Sequence, residues 1–398
     1  MDDLKKRALD YHQFPIPGKL SVESSKPCAT QDDLSLAYTP GVAAPVLEIN
    51  ADPANAYKYT NKGNLIAVIT DGTAVLGLGN MGALASKPVM EGKAVLFKRF
   101  AGIDVFDIEI NAASPDEFIQ TVVNIAPTFG GINLEDIAAP HCFYIENELK
   151  KRLNIPVFHD DQHGTAVIVA AALLNALELQ GKMLPTAKIV FLGAGAAGCS
   201  CAKLLKLMGA TNITMVDRTG VIDTDRPDLH DNNRELAITT GGVKTLADAM
   251  LSADVFIGVS AKNALDANLI KGMAANPIIF ALANPDPEVL PSVAHAIRDD
   301  ILMATGRSDF PNQVNNALCF PYLFRGALDA KATQITEKMK VAAARALSEL
   351  AREPVPADVL QAYNLTELKF GKEYIIPKPF DKRLLARVSG AVAKAAKE

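Results

Sequence analysis

Apolar and polar positions divide the chain into stretches of different texture. Residues 1–60 are broken by Pro15, Pro17-Gly18, Pro40-Gly41, Pro45 and Pro53, which predicts short helices or a strap wrapped over a surface. From Leu65 the run LIAVIT reads as a strand, and the turn Asp71-Gly72 followed by AVLGLG predicts a hairpin-like return. GKAVLFKRFAG then reads as helix, IDVFDIEI as an alternating strand and residues 115–125 as helix. LEDI marks a strand end, CFYIENELKKRL a helix and PVFHDD a further strand. TAVIVAAALLNALELQ is a long apolar helix stopped by Gly181.

Beyond it, KIVFLG, NITMVD, DVFIGVS, PIIFALANP and ILMATG are short β-rich runs, most of them separated by helical segments such as CSCAKLLKLMG and TLADAML. This alternation predicts an α/β fold with a mostly parallel, doubly wound sheet. After Gly306 the texture changes, and TEKMKVAAARALSELA is a strong helix. The proline-bearing C-terminal segment is expected to pack back on the first domain. The division expected is residues 1–160, 161–310 and 311–398.

Length and composition narrow the function class. A chain of 398 residues can bury two or three cores, and 49% hydrophobic with 21% charged residues is ordinary for a globular enzyme. A net charge of -5 gives no basic field for nucleic acid or a membrane surface. No uninterrupted apolar run reaches the roughly 18 residues of a membrane span, and MDDLKKRALDYHQF lacks a signal core. The five cysteines are scattered and fit no zinc pattern, so a reducing cytoplasm is the expected setting.

Two acidic doublets carry the candidate chemistry. Glu135-Asp136 in GINLEDI and Asp160-Asp161 in HDDQHGT each follow an apolar segment. An isolated acidic doublet is usually solvated or caps a helix. Acids at strand ends, however, sit where open α/β sheets gather ligands, and hard cations such as Mg²⁺ or Mn²⁺ take oxygen donors. His159 and His163 stand at i,i+4, but the intervening acids and Gly164 favour a turn here, with both histidines in structural hydrogen bonds.

The pattern G-x-G-x-x-G occurs twice. At Gly77-Leu78-Gly79-Asn80-Met81-Gly82 it is followed by Ser86, Lys87 and Pro88, which would interrupt a phosphate-facing helix, so it reads as a loop-shaping turn. At Gly193-Ala194-Gly195-Ala196-Ala197-Gly198 it follows a strand and opens a helix. There Gly193 suits the tight turn, Gly195 the approach of pyrophosphate and Gly198 close packing, with Ala196 and Ala197 at the helix N-terminus. Asp217, about 20 residues on, is placed to hold ribose hydroxyls, whereas Arg218 beside it suits a 2′-phosphate. NAD and NADP both remain open.

AYTPGVA, TDGTAVLGLGNMG, NLEDI, HDDQHGT, ALANPDPE and GRSDFPNQVNNALCFPYLFRGALD occur in an order that resembles a malic enzyme of the short bacterial type, from about Leu20 to Pro379. The phosphotransacetylase-like extension found in hybrid relatives is not expected. The resemblance implies an N-terminal malic domain, a Rossmann-type nucleotide domain and metal-dependent oxidative decarboxylation of L-malate to pyruvate. It makes Tyr38 the catalytic acid, Lys93 the base, and Glu135, Asp136 and Asp161 the ligands of Mg²⁺ or Mn²⁺. Asn284 and Asn316 match asparagines that hold substrate and nicotinamide, and decarboxylation of oxaloacetate is implied as well. A homodimer or higher homo-oligomer is expected.

A lysine base must be neutral to accept a proton, and burial beside a cation would lower its pKa. Where large eukaryotic relatives carry arginine after Ala-Gly-Ile, this chain has Asp104, so the clamp for the second substrate carboxylate stays unassigned. Two alternatives remain. A Rossmann dehydrogenase without decarboxylation would need no metal, and a catalytically silent nucleotide-binding regulator would be expected to have lost Tyr38, Lys93 or an acid.

Overall fold

The computed structural model describes residues 2–398. The chain opens with helices α1 (Asp2–Gln13), α2 (Gln31–Ala37), α3 (Ala43–Ala51) and α4 (Ala56–Tyr59). No residue from 3 to 64 is buried. The punctuated N-terminal stretch therefore forms short helices as expected, but as an arm largely left in the open.

A four-stranded sheet follows, built from β1 (Leu65–Thr70), β2 (Asp104–Glu109), β3 (Gly131–Leu134) and β4 (Val157–His159). Its order is β2-β1-β3-β4, and every pairing is parallel. The crossovers are α5 (Ala83–Ala101), α6 (Pro115–Ile125) and α7 (His141–Arg152). Helix α8 (Asp160–Leu179) then leads to β5 (Lys188–Leu192), α9 (Ala196–Leu207), β6 (Asn212–Asp217), β7 (Gly220–Val221), α10 (Asp231–Arg234) and α11 (Leu246–Met250). The remaining elements of this half are β8 (Val255–Gly258), β9 (Ile278–Ala281), α12 (Pro291–Ile297) and β10 (Leu302–Thr305). The second sheet runs β10-β9-β8-β5-β6-β7, and only β7 is antiparallel. Its chain order reverses beside β5, the switch point at which doubly wound sheets bind ligands.

Helices α13 (Phe320–Asp329), α14 (Glu337–Leu350), α15 (Ala357–Ala362) and α16 (Arg383–Ala395) close the chain. One core joins them to both halves. Phe97 of α5 meets Phe320 and Phe324 of α13 at ring-centroid distances of 4.8 and 5.4 Å. Asn175, towards the C-terminal end of α8, donates to the carbonyls of Ser348 (2.9 Å) and Ile375 (2.8 Å), which satisfies a buried amide and pins the C-terminal segment. Helix α8 is apolar and long enough to cross a bilayer, yet it is mostly buried here as the central core helix.

Three local expectations need correction. AVLGLG forms no strand. Leu76 takes φ +49° and Gly79 φ +83°, and only the bridge Val75–Gly79 is paired. Both sides of β1 are already taken by parallel partners, which leaves no edge for a hairpin. Pro88 does not interrupt its helix. It lies inside α5, and Leu84, whose carbonyl loses its helical partner, is 85% exposed to water. The segment after His159 is not a turn but the start of α8, where Asp160 and Asp161 face the positive end of the helix dipole.

Candidate active site

Parallel pairing brings the acids together. Leu134 of β3 is in register with His159 of β4, so the doublets that follow them emerge side by side. Oxygens of Glu135, Asp136 and Asp161 all lie within 4.8 Å of one another. Asp136 adopts φ +54°, its N–H donates to Asp161 Oδ2 (2.8 Å), and its Oδ2 is buried without a partner. Burial and the neighbouring Asp161 charge push the Asp136 carboxyl up to about 7. Burial and the surrounding acids likewise hold Glu135 well above the carboxylate range. Asp161 falls below it: burial opposes ionisation, but His159, whose Nε2 lies 3.2 Å from Asp161 Oδ2, favours it. Crowded carboxylates with an orphaned oxygen are a donor set that fits a hard divalent cation.

Lys93 reaches this cluster from α5. Its Nζ lies 2.5 Å from Asp160 Oδ2, 2.9 Å from Glu135 Oε1 and 4.6 Å from the Phe320 ring centre. Burial alone would lower its pKa, yet Asp160, Glu135 and Asp161 together hold it above the ordinary lysine value. The lowered pKa expected of a base is thus absent from this arrangement, because carboxylate charge outweighs desolvation.

Asp160 was legible only as half of a doublet, and its contacts give it a distinct place. It is fully buried, and Oδ2 also accepts from Asn316 Nδ2 at 2.5 Å. Gly164, one turn later, leaves room for this carboxylate, since a Cβ there would collide with Oδ1. Both histidines are held by hydrogen bonds: His159 Nδ1 pairs with Gln162 (2.9 Å) and His163 Nε2 with Glu146 (2.9 Å).

Gly193 turns at φ +119° against Val259, and a Cβ on Gly198 would strike the Gly193 carbonyl. Gly195 has nothing within 4 Å of its missing Cβ, which leaves space for a phosphate group at the N-terminus of α9. Ala196 packs against the core of the first sheet, so this turn lies beside the acid cluster's half of the molecule. The earlier glycine motif has a different place. A Cβ on Gly77 would collide with the Asn284 carbonyl, and Leu76 N–H points at Asp136 Oδ1 (3.4 Å). That loop therefore spans from an acid of the cluster to exposed Asn284, which precedes a cis proline.

Asp217 ends β6 as expected but is already engaged by Arg226, while Arg218 is exposed. Tyr38 stands apart. It is 68% exposed and makes no side-chain hydrogen bond among the described residues.

Residues 17–150 match the family profile described as the malic enzyme N-terminal domain, and residues 162–361 match the malic enzyme NAD binding domain. The chain belongs to the malic enzyme family. An NADP-dependent malic enzyme of Halomonas elongata is 61% identical, over 100% of this chain and 94% of that protein. One from Escherichia coli is 57% identical over 100% of this chain but only 53% of the relative, so against that protein the chain spans about half its length. The crystal structure of malic enzyme from Pyrococcus horikoshii superposes with a TM-score of 0.90 at 43% identity, covering 99% of this chain and 90% of that one. Malic enzyme architecture thus accounts for both sheets and for the glycine turn of the second.

Proposed function

We propose that this chain catalyses oxidative decarboxylation of L-malate to pyruvate and CO₂, with NAD or NADP as oxidant and Mg²⁺ or Mn²⁺ as metal. The observation that carries this reading is the convergence of Glu135, Asp136 and Asp161 beside buried Lys93. A Rossmann dehydrogenase that only transfers hydride does not require such a cluster. Bound at these sites, the divalent ion supplies Lewis acidity for the substrate oxygens and the dinucleotide supplies a hydride acceptor.

The chain's own residues do the rest. Glu135, Asp136 and Asp161 hold the ion, and Gly193, Gly195, Ala196, Ala197 and Gly198 receive the pyrophosphate. Asn284 and Asn316 orient substrate and nicotinamide. Lys93 takes the proton of the C2 hydroxyl; of its two carboxylate partners only Glu135 would also hold the ion, and a cation there would favour the neutral amine. Asp160 keeps the Lys93 amine in place throughout. After CO₂ has left, Tyr38 delivers a proton to C3. Glu135, Asp136 and Asp161, holding the ion, would also support decarboxylation of added oxaloacetate.

Residues 1–160 form the substrate and metal domain, 161–310 the nucleotide domain, and 311–398 a segment that completes the second and packs on the first. The Phe97–Phe320 contact supports this last role. A homodimer or higher assembly is supported by the arm, where Leu36, Val46 and Leu47 are 69%, 58% and 67% exposed. Covering the arm with a second copy would also enclose Tyr38, as proton delivery to carbon requires. Five unpaired cysteines agree with a reducing cytoplasm. The test is a spectrophotometric assay with malate and Mn²⁺, run separately with NAD and NADP. Nucleotide reduction without pyruvate would overturn the reading in favour of a simple dehydrogenase.

A further inference from the structure

The carboxylate at the end of β6 is held from several sides. Asp217 Oδ1 accepts from Thr219 N (2.8 Å), Gly220 N (3.1 Å) and Arg226 Nη1 (2.8 Å), and Oδ2 accepts from Arg226 Nη2 (2.9 Å). Asp228 grips the other edge of the same guanidinium, with Nε–Oδ1 at 3.0 Å and Nη2–Oδ2 at 2.6 Å. The carbonyls of Gly220 and Val221 lie 3.3 Å from Nη1. Every N–H of Arg226 thus has an acceptor, and its side chain is only 15% exposed. The fork is fixed rather than wandering.

This alters what the acid means. A free carboxylate here bonds the ribose 2′- and 3′-hydroxyls and repels a 2′-phosphate. In this chain the bidentate fork offsets the Asp217 charge and occupies both of its oxygens. Asp228, which makes the net charge of the trio negative, lies on the far edge and is half exposed, where water screens it. The next residue after Asp217, Arg218, is exposed and has no hydrogen bond or ion pair among the described residues.

The geometry points to Arg226 as a positioning residue for nucleotide choice: by clamping Asp217 it lets the 2′-phosphate of NADP approach and meet Arg218. The inference rests on the dinucleotide reading above. It assigns the discrimination to a residue that does not touch the nucleotide. The first consequence is that the acid can remain in an enzyme that uses NADP. The second is that loss of the arginine, not of the acid, shifts the preference toward NAD.

Calorimetric titration of NADPH and NADH into the purified protein tests this. Arg226→Met leaves Asp217 on its two backbone donors but removes the compensating charge. The ratio of NADPH to NADH affinity should fall by about tenfold or more, from the repulsion of unpaired like charges. Adding Asp217→Asn to that variant removes the unpaired charge and should return most of the ratio, which a merely structural role for Arg226 would not do. Arg218→Gln, at an exposed position, should weaken NADPH alone. The inference is overturned if Arg226→Met weakens both nucleotides equally, if the double variant keeps the low ratio, or if Arg218→Gln leaves NADPH affinity unchanged. Because the readout is binding, it stands apart from malate turnover, whose absence in the unaltered protein would count against the proposed function instead.

Discussion

Metal affinity should rise steeply with pH across neutrality, and the acid cluster sets the size of the effect. Oxygens of Glu135, Asp136 and Asp161 lie within 4.8 Å of one another. Two full charges at that separation repel by about 3 kcal/mol at an effective dielectric constant near 20. Burial and this repulsion place Asp136 at about 7. A cation needs the ionised form, which is roughly a tenth of the population at pH 6 and nine tenths at pH 8. Apparent Mn²⁺ affinity should therefore increase about tenfold between those pH values from this group alone, with more from Glu135.

The same shift acts on folding with opposite sign. A carboxyl whose folded pKa exceeds its unfolded value binds more protons when folded. The metal-free protein should thus lose stability as pH rises from about 4 to 7, by about 1.4 kcal/mol per unit per proton, and Mn²⁺ should restore it. Asp161→Asn removes one ligand and also the charge that helps to raise Asp136. Affinity at pH 8 should fall more than about 100-fold, and the remaining pH dependence should flatten. Titration calorimetry in two buffers of different ionisation enthalpy measures both affinity and proton release. Affinity that stays constant from pH 6 to 8, or survives in Asp161→Asn, would refute the reasoning.

Three further outcomes follow from the site. Gly195→Ala places a methyl in open space, so the fold should survive while dinucleotide affinity falls; Gly198→Ala collides with the Gly193 carbonyl and should lower the melting temperature as well. Asp160→Asn removes the main partner of Lys93, but the amine keeps Glu135 at 2.9 Å. A stability loss near the lower end of about 3–5 kcal/mol is expected in urea unfolding, with turnover falling too; an unchanged rate would remove Asp160 from the machinery. Tyr38→Phe and Lys93→Ala should each lower malate turnover by about 10²–10⁴-fold. Pyruvate C3 exchange in deuterated water separates the two roles: it should vanish in the tyrosine variant and partly persist in the lysine variant, and the reverse pattern would exchange the roles.

Some of the architecture was legible because it depends on local pattern. The β-rich runs KIVFLG, NITMVD, DVFIGVS, PIIFALANP and ILMATG all became strands, since each is an apolar run that a doubly wound sheet buries on both faces. The second glycine motif was legible for a related reason: strand, tight turn and helix are consecutive in the chain. AVLGLG misled because its apolar alternation is equally that of a loop in which Gly77 presses against Asn284 from the other half of the molecule. Pro88 misled because a proline's cost depends on whether the carbonyl it abandons can reach water, and exposure is not written locally.

The chain's own pattern was enough to indicate the alternating strands and helices of the second half, a glycine turn between strand and helix, and two acidic doublets at strand ends, because period, glycine spacing and strand-end position are properties of neighbouring residues. Tertiary structure alone decided which groups meet. The Leu134–His159 register sets the doublets side by side, and the crossover of α5 drives Lys93 onto Asp160. Arg226 folds back on Asp217, so that an acid read as free proves to be bound. The same folding leaves Tyr38 in the open, on an arm with no buried residue. The physical reason is one of range. Backbone preferences act over a turn or a strand, whereas charge pairing and burial act between residues that only the completed fold makes neighbours.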